Sequence, residues 1–446
     1  MSSWLTADEA AERLGVKPAT LYAYVSRGVL TRRRAGDGRS QFAAEEIERL
    51  ARRGRSRRPA HAGPELVIRS AVTMLGDDRQ YYRGHDALEL ARWCELEDVA
   101  GLLWTDTLER TAPLQTAPLS TAPQQTAPLQ TAPLSTAPLR TAPLRTAPWP
   151  TAAWEASAHA VAAARTAQAG LPADVLPLER LQVVTPVLAA HDPLRLTADE
   201  QAVVHIGQCL VAGLVDSLPS QHRAAARSSA GSPGHLPVSA RLWPKLTAQP
   251  PDPALRDVLR TALVLLADHE LAASTVAARM AASVRADPYA VVLAGLGTTS
   301  GALHGGASLG AEALLAEIDD PGQVTHVLGQ RLRRGERIPG FGHKVYRAGD
   351  GRATALLDAL RAVAPQHPKL AVADAVIVEA GRRLGLAVNV DFALALLTNV
   401  AGMVPGAGEA IFATARTVGW LAHAIEEYAE PTQLRLRAAY TGPPIG

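Results

Sequence analysis

"DVLRTALVLLADHELAASTVAARMAASV", residues 257–284, decides the fold class. Its apolar residues return at three- and four-residue spacing, the period of a helix that buries one face, and most of them are the helix formers alanine and leucine. The same pattern, broken by short glycine- or proline-marked turns, fills residues 65–110 and 150–446. Aromatic residues make up only 4% of the chain. The spacing predicts a nearly all-helical, all-α protein, and it leaves a polar "DHEL" around His269 to be explained.

At 446 residues the chain exceeds one ordinary core and suggests two or three domains. A formal net charge of +2 argues against a wholly nucleic-acid-coating or membrane-surface protein. Cys94 and Cys209 stand far apart without a partner motif, so neither a disulfide framework nor a cysteine metal site is indicated. There is no apolar signal segment and no run of 18 or more apolar residues. A soluble cytoplasmic protein with no membrane segment is expected. Lysine occurs only at 17, 245, 344 and 369, so arginine carries nearly all the positive charge, and no arginine marks an anion site by its type alone.

Residues 1–58 form a separate unit. Thr6 with Glu9 reads as a helix cap, Gly15 ends that helix, and "KPATLYAYVSRG" begins a second with Pro18 in its first turn. "RRRAGDGRS" reads as a basic hairpin and "AAEEIERLARR" as a third helix. The unit resembles the winged helix-turn-helix of the MerR and excisionase type. That likeness implies DNA as a partner, with the arginines at 32, 33, 34, 39, 52, 53, 55, 57 and 58 supplying charge for phosphate contact.

Residues 111–149 repeat Thr-Ala-Pro with a period of five. Proline at every fifth position removes amide donors from any helix or ladder, and the segment reads as a disordered linker without chemistry. A second irregular stretch spans 220–237.

Four polar residues interrupt apolar or glycine-rich sequence: His269 in "DHELAAST", His304 in "SGALHGGAS", His343 in "IPGFGHKVYRAGDGR" and Asp391 in "VNVDFAL". Glycines beside His304 and His343 predict turns needing positive φ and close ligand approach. A carboxylate in the apolar run around Asp391 is costly to ionise, so burial would raise its proton affinity toward that of a base working near neutral pH. Two histidines and an aspartate without clustered cysteines or carboxylates point to proton chemistry. The ligand spacings of zinc sites are absent, and no metal is expected.

"HELAAST", "GALHGGAS", "GFGHKVYR…DGR", "NVDF", "ARTVGWLAHAIEE" and "RLRAAYTG" resemble, in order, the motifs of the citrate synthase family. "YYRGHDALELARWCELEDVAGLLW" is similar to that family's N-terminal segment. The resemblance implies a two-domain helical fold: a large domain over 65–110, 150–305 and 403–446, and a small domain over 306–402 that closes on the substrates. It implies a homodimer, acetyl-CoA and oxaloacetate as substrates, and no permanently bound cofactor.

By the same resemblance Asp391 would take a methyl proton from acetyl-CoA, His304 would hydrogen-bond the thioester oxygen, and His343 would serve the oxaloacetate ketone. Arg352, Arg416 and, from the other subunit, Arg435 would hold the two carboxylates with His269. Arg347 would meet coenzyme A phosphates. Gly351 stands where the family often has proline, which should loosen the turn presenting Arg352. Ala272 and Ser308 replace frequent asparagines, and no proline follows Arg435. Two alternatives stay open: a 2-methylcitrate synthase using propionyl-CoA, and a metabolite-sensing DNA-binding regulator built on a synthase body.

Overall fold

The structure is a computed structural model, and it describes residues 4–14, 21, 24–25, 29–35, 40–47, 68–108, 154–221, 236–347 and 349–442, without the side chains of Asp8 and Glu12. The Thr-Ala-Pro tract and most of the irregular stretch at 220–237 lie outside these residues. The chain divides into two compact units, Met1–Arg69 and Ser70–Gly446.

In the first unit β1 (Trp4–Thr6) leads into α1 (Ala7–Leu14) through the reciprocal cap that the sequence predicts. Glu9 accepts the Thr6 amide and hydroxyl, both at 2.8 Å, while the Thr6 hydroxyl accepts the Glu9 amide at 3.4 Å. The basic hairpin forms as β2 (Arg32–Arg34) paired antiparallel with β3 (Ser40–Ala43), Arg32 opposite Phe42, in a sheet ordered β1-β3-β2. Ala10, Leu21, Leu30, Phe42 and Ile47 fill a small core beneath it. The three arginines of β2 stay exposed, with the Arg33 guanidinium 4.1 Å from the centre of the Trp4 ring.

The second unit opens with a three-stranded antiparallel sheet, β4 (Thr73–Leu75), β5 (Gln80–Tyr82) and β6 (His85–Asp86). Helical periodicity did not foresee it. Its physical reason lies in α8 (Pro253–Leu266), whose last carbonyls have no partner within the helix. Gln80 and Tyr82, two apart on one face of β5, bring the Gln80 amide 2.7 Å from Leu265 O and the Tyr82 hydroxyl 3.0 Å from Val264 O.

Helices make up the rest: α2 (Ala87–Leu90), α3 (Leu96–Thr105), α4 (Ala158–Gln168), α5 (Pro177–Ala190), α6 (Glu200–Ser217), α7 (Val238–Leu246), α8, α9 (Ala273–Ser283) and α10 (Pro288–Thr299). After them come α11 (Gly306–Glu317), α12 (Val324–Arg333), α13 (Gly351–Val363), α14 (Pro368–Leu384), α15 (Val390–Val400) and α16 (Ala407–Ala429). Among the described residues none is long and apolar enough to cross a membrane.

Two helices are surrounded. α16 is buried from Ala407 through Ala424 and packs on α3, α5, α6, α8, α9, α10 and α11. α15 packs on α11, α13 and α14. A helix apolar on every side must be covered on every side, which is why these two form the hubs. Close approach to α16 uses glycine, since a Cβ on Gly295 of α10 would stand 2.5 Å from the Trp420 ring.

The described chain leaves the core after α3 and returns at Trp154, where the Trp104 and Trp154 rings stack 5.5 Å apart at 13°. The indole of Trp104 also donates to Val418 O of α16 at 2.8 Å. Both ends of the intervening stretch are thus fastened to one place. Replacing residues 111–148 by a short Gly-Ser linker is expected to retain the fold and gain about 1 kcal/mol in urea denaturation, from the shorter closed loop. A loss of about 2 kcal/mol or more would show that the tract contributes contacts of its own.

Candidate active site

The loop between α12 and α13 carries His343, and its glycines behave as the sequence predicts. Gly340 and Gly342 have φ of +84° and +81°. Gly342 donates its amide to Ala387 O and Gly340 accepts the Asn389 amide, so the loop is pinned to the entry of α15. His343 Nδ1 accepts the amides of Val345 and Tyr346, both at 3.1 Å. An Nδ1 that accepts leaves the ring proton on Nε2.

Three rings meet here. His343 stacks on Tyr346 with centroids 4.7 Å apart, and His269 stands edge-on to both at 5.3 Å. The Tyr346 hydroxyl lies 3.0 Å from His269 Nε2 and 3.3 Å from Gln80 Oε1. Burial holds His269 well below the usual histidine pKa, and the charges of Arg352 and Arg416 push the same way. His343 is lowered too, by burial first and then by Arg352, with Asp350 opposing.

Arg352, 2% exposed, is held by Asp350. The Asp350 carboxylate accepts Arg352 Nε and Nη2, each at 2.9 Å, and also the amides of Arg352 at 3.1 Å and Val390 at 3.0 Å. Arg352 Nη2 lies 3.4 Å from His343 Nε2, and since both nitrogens carry N–H in this tautomer the approach is a contact between two donors rather than a hydrogen bond. The expected loosening at Gly351 does not occur. Its amide donates to Asp78 O at 2.8 Å, and a Cβ there would stand 2.8 Å from the same oxygen, so a proline would lose the bond and collide. Glycine tightens this turn.

Asp391 follows Val390 in the first turn of α15, half-buried. Burial pushes its carboxyl up to about 6, with Asp350 adding to the rise and Arg352 and Arg416 opposing it. The sequence reading of a carboxyl with raised proton affinity holds. His304, half-buried, is pushed down to about 4 by burial and by Arg416. Its Nε2 lies 2.7 Å from the Ser274 hydroxyl, and its ring meets Phe412 edge-on at 5.4 Å. The turn at His304 differs from expectation: Gly305 has φ −59°, and neither Gly305 nor Gly306 is left-handed. Close packing demands glycine instead, because a Cβ on Gly305 would stand 2.6 Å from Thr299 O.

Arg416 completes the cluster from α16. It is 1% exposed, lies over Phe412 at 4.5 Å and donates from Nε to Leu266 O at 2.9 Å. Burial lowers its pKa and Asp268 opposes that. The structure therefore joins His269, His343 and Arg352 directly, links Asp391 to them through Asp350 and Val390, and links His304 to Arg416 through Phe412. Arg347 and Arg435 are exposed, and no described hydrogen bond or ion pair draws either side chain into the cluster. Sequence reasoning passed over Asp350, Tyr346 and Ser274, although "RAGDGR", "HKVYR" and "HELAAST" contained them.

The arrangement sets acid–base groups beside two buried guanidiniums: one carboxyl pushed up to about 6 and three imidazoles whose proton affinity is lowered. Such a cluster in a mostly helical protein suits acid–base chemistry beside an anionic group. A family model described as "Citrate synthase, C-terminal domain" matches residues 65–437, and the chain belongs to the citrate synthase family. A "Helix-turn-helix domain" model matches residues 4–55.

Among relatives, the citrate synthase of Haloferax volcanii is 38% identical over 201 residues, 44% of this chain and 53% of that protein. The 2-methylcitrate synthase 1 of Corynebacterium glutamicum is 29% identical over 284 residues, 61% of this chain and 74% of that protein. The chain thus spans about half the length of several curated relatives it matches. The solved citrate synthase of Thermotoga maritima superposes with a TM-score of 0.64 at 23% identity, covering 85% of this chain and 94% of that one. That of Thermoplasma acidophilum, solved as a ternary complex with carboxymethyl coenzyme A and oxaloacetate, gives 0.62 at 20% identity, covering 86% of this chain and 96% of that one.

The raised Asp391 carboxyl has a stability consequence. An unfolded aspartate ionises near 3.8, so between about pH 4 and 6 the folded chain binds more protons than the unfolded one. Stability contributed by this group is present below that window and is lost as pH rises through it. Asp391→Asn is expected to stabilise the protein at pH 7.5 by roughly 2–3 kcal/mol in urea denaturation, with the gain gone below about pH 4.

Proposed function

We propose that the second unit condenses acetyl-CoA with oxaloacetate to citrate and free coenzyme A. The observation that carries this reading is the half-buried Asp391 carboxyl, near 6, sharing the fields of Arg352 and Arg416 with imidazoles that stay unprotonated. A base needs that proton affinity, and donors to a developing oxyanion work best when preorganised in a water-poor site.

Asp391 removes a methyl proton from acetyl-CoA. In the tautomer this reading requires, His304 Nε2 accepts from the Ser274 hydroxyl 2.7 Å away and Nδ1–H donates to the thioester oxygen as enolate charge builds. The enol carbon then attacks the ketone carbon of oxaloacetate. His343 donates from Nε2 to the ketone oxygen, the direction its two backbone bonds at Nδ1 impose. Water hydrolyses the resulting thioester, releasing citrate and the thiol of coenzyme A.

Arg352 offers its guanidinium to one carboxylate of oxaloacetate while Asp350 grips the other edge, and Arg416 with His269 serves the second. In a homodimer Arg435 of the partner subunit completes the clamp, and Arg347 meets coenzyme A phosphates. We place this chemistry in the cytoplasm.

The test is thiol release from acetyl-CoA, dependent on oxaloacetate. Asp391→Ala is expected to lower kcat by about a thousandfold or more without unfolding the protein. Undiminished turnover in that variant would end the assignment of Asp391. One methylene shifts discrimination by about 1–3 kcal/mol, so kcat/KM with propionyl-CoA decides between citrate and 2-methylcitrate formation.

The first unit favours a second, coexisting role as a DNA-binding module, because a helix-turn-helix model matches it and β2 exposes three consecutive arginines. Binding of the full chain to its own promoter should weaken linearly in log–log salt plots. Arg34→Ala is expected to reduce that slope by about one. A slope of zero, or no binding at low salt, would remove DNA from the account.

A further inference from the structure

Behind the site a second polar chain crosses the core, and no step of the proposed reaction uses it. His423 of α16 is fully buried between Arg279 of α9 and Asp268, the residue before His269. Arg279 Nη1 lies 2.7 Å from His423 Nδ1 and 2.7 Å from Glu426 Oε2, and its Nε lies 2.7 Å from Glu427 Oε1. A guanidinium only donates, so His423 Nδ1 accepts and the ring proton sits on Nε2. Glu426 Oε2, 3.8 Å from Nδ1, is too far to compete for a proton there. His423 Nε2 in turn lies 3.3 Å from Asp268 Oδ2.

Asp268 is fully buried and has two tasks. Its Oδ2 accepts the Glu270 amide at 3.0 Å, and Glu270 has a left-handed φ of +52°, so this bond holds the strained turn from which His269 projects. Its Oδ1 has no hydrogen-bond partner among the described residues, and with His423 neutral, Arg416 is the positive charge that favours an ionised Asp268. Among the described residues Arg416 hydrogen-bonds to protein through Nε alone. The close passage of α16 that makes this possible depends on Gly419, where a Cβ would stand 2.4 Å from Ala267 O and from Asp268 Oδ1.

We propose that His423 is a positioning residue for the dicarboxylate pocket: its tautomer set by Arg279, it fixes Asp268, which holds the His269 turn and supplies the countercharge beside Arg416. The proposal rests on reading the cluster as an oxaloacetate site.

The experiment is calorimetric titration of the full chain with oxaloacetate, paired with steady-state kinetics, for His423→Leu, His423→Gln and Asp268→Asn. His423→Leu is expected to weaken oxaloacetate binding and raise its KM at least tenfold, with kcat at saturation within threefold of the unaltered protein. His423→Gln, whose amide N–H can reach Asp268, is expected to recover affinity to within threefold. Asp268→Asn, nearly isosteric, should weaken binding as His423→Leu does, and it decides the matter if the leucine variant does not fold. A folded leucine variant with unchanged affinity, a glutamine variant as weak as leucine, or an unaffected Asp268→Asn would each overturn the proposal. If the unaltered protein binds no oxaloacetate, the functional reading falls by itself. The relay is then judged by ¹⁵N NMR of His423, which must show a protonated Nε2 and a bare Nδ1, and the reverse pattern overturns it.

Discussion

The Asp350 carboxylate is the junction on which the site depends. It accepts four N–H groups, from the Arg352 amide and guanidinium and from the Val390 amide, and so ties the start of α13 to the start of α15. One buried charge thereby fixes a cationic wall of the pocket and the turn that presents Asp391. Burial is the largest influence on the Asp350 carboxyl and raises its pKa, but the charge and hydrogen bonds of Arg352, with the Val390 amide, together outweigh it and hold the group below its ordinary range, whereas burial prevails at Asp391. Two aspartates in neighbouring turns are driven apart in proton affinity by what each one touches.

The same contrast runs through the imidazoles. Burial and the neighbouring arginines disfavour a further positive charge, so the proton affinities of His269, His304 and His343 are all lowered, and each ring is held by hydrogen bonds. His343 is oriented by two backbone amides, His304 by a serine hydroxyl and His269 by a tyrosine hydroxyl. Rigid orientation of this kind is what electrostatic stabilisation of a transient oxyanion requires, because the donors need not reorganise as charge appears. α16 carries Phe412, Arg416, Gly419 and His423 on successive turns, so one buried helix supports the pocket from its wall to its foundation.

Much of this was legible in the sequence. Helical periodicity gave the fold, and residues that broke it gave His269, His304, His343 and Asp391. What periodicity could not show were partners whose residue types suit ordinary roles: Asp350 between glycines reads as a turn former, Ser274 as a helix-start residue, and Tyr346 as packing. The small sheet escaped notice because its reason, the open carbonyl end of α8, lies about 180 residues away. Glycine was read correctly at 342 as a dihedral requirement, but at 305 and 351 the requirement is space, which only the packed neighbours reveal.

The central claim is that the site separates proton affinities, raising one carboxyl to about 6 while lowering the imidazoles around it. The most direct measurement is a ¹³C NMR titration of the Asp391 carboxyl, assigned by comparison with Asp391→Asn. A midpoint near pH 6 is the result this account predicts. A midpoint at or below about 4, the ordinary aspartate range, would contradict it.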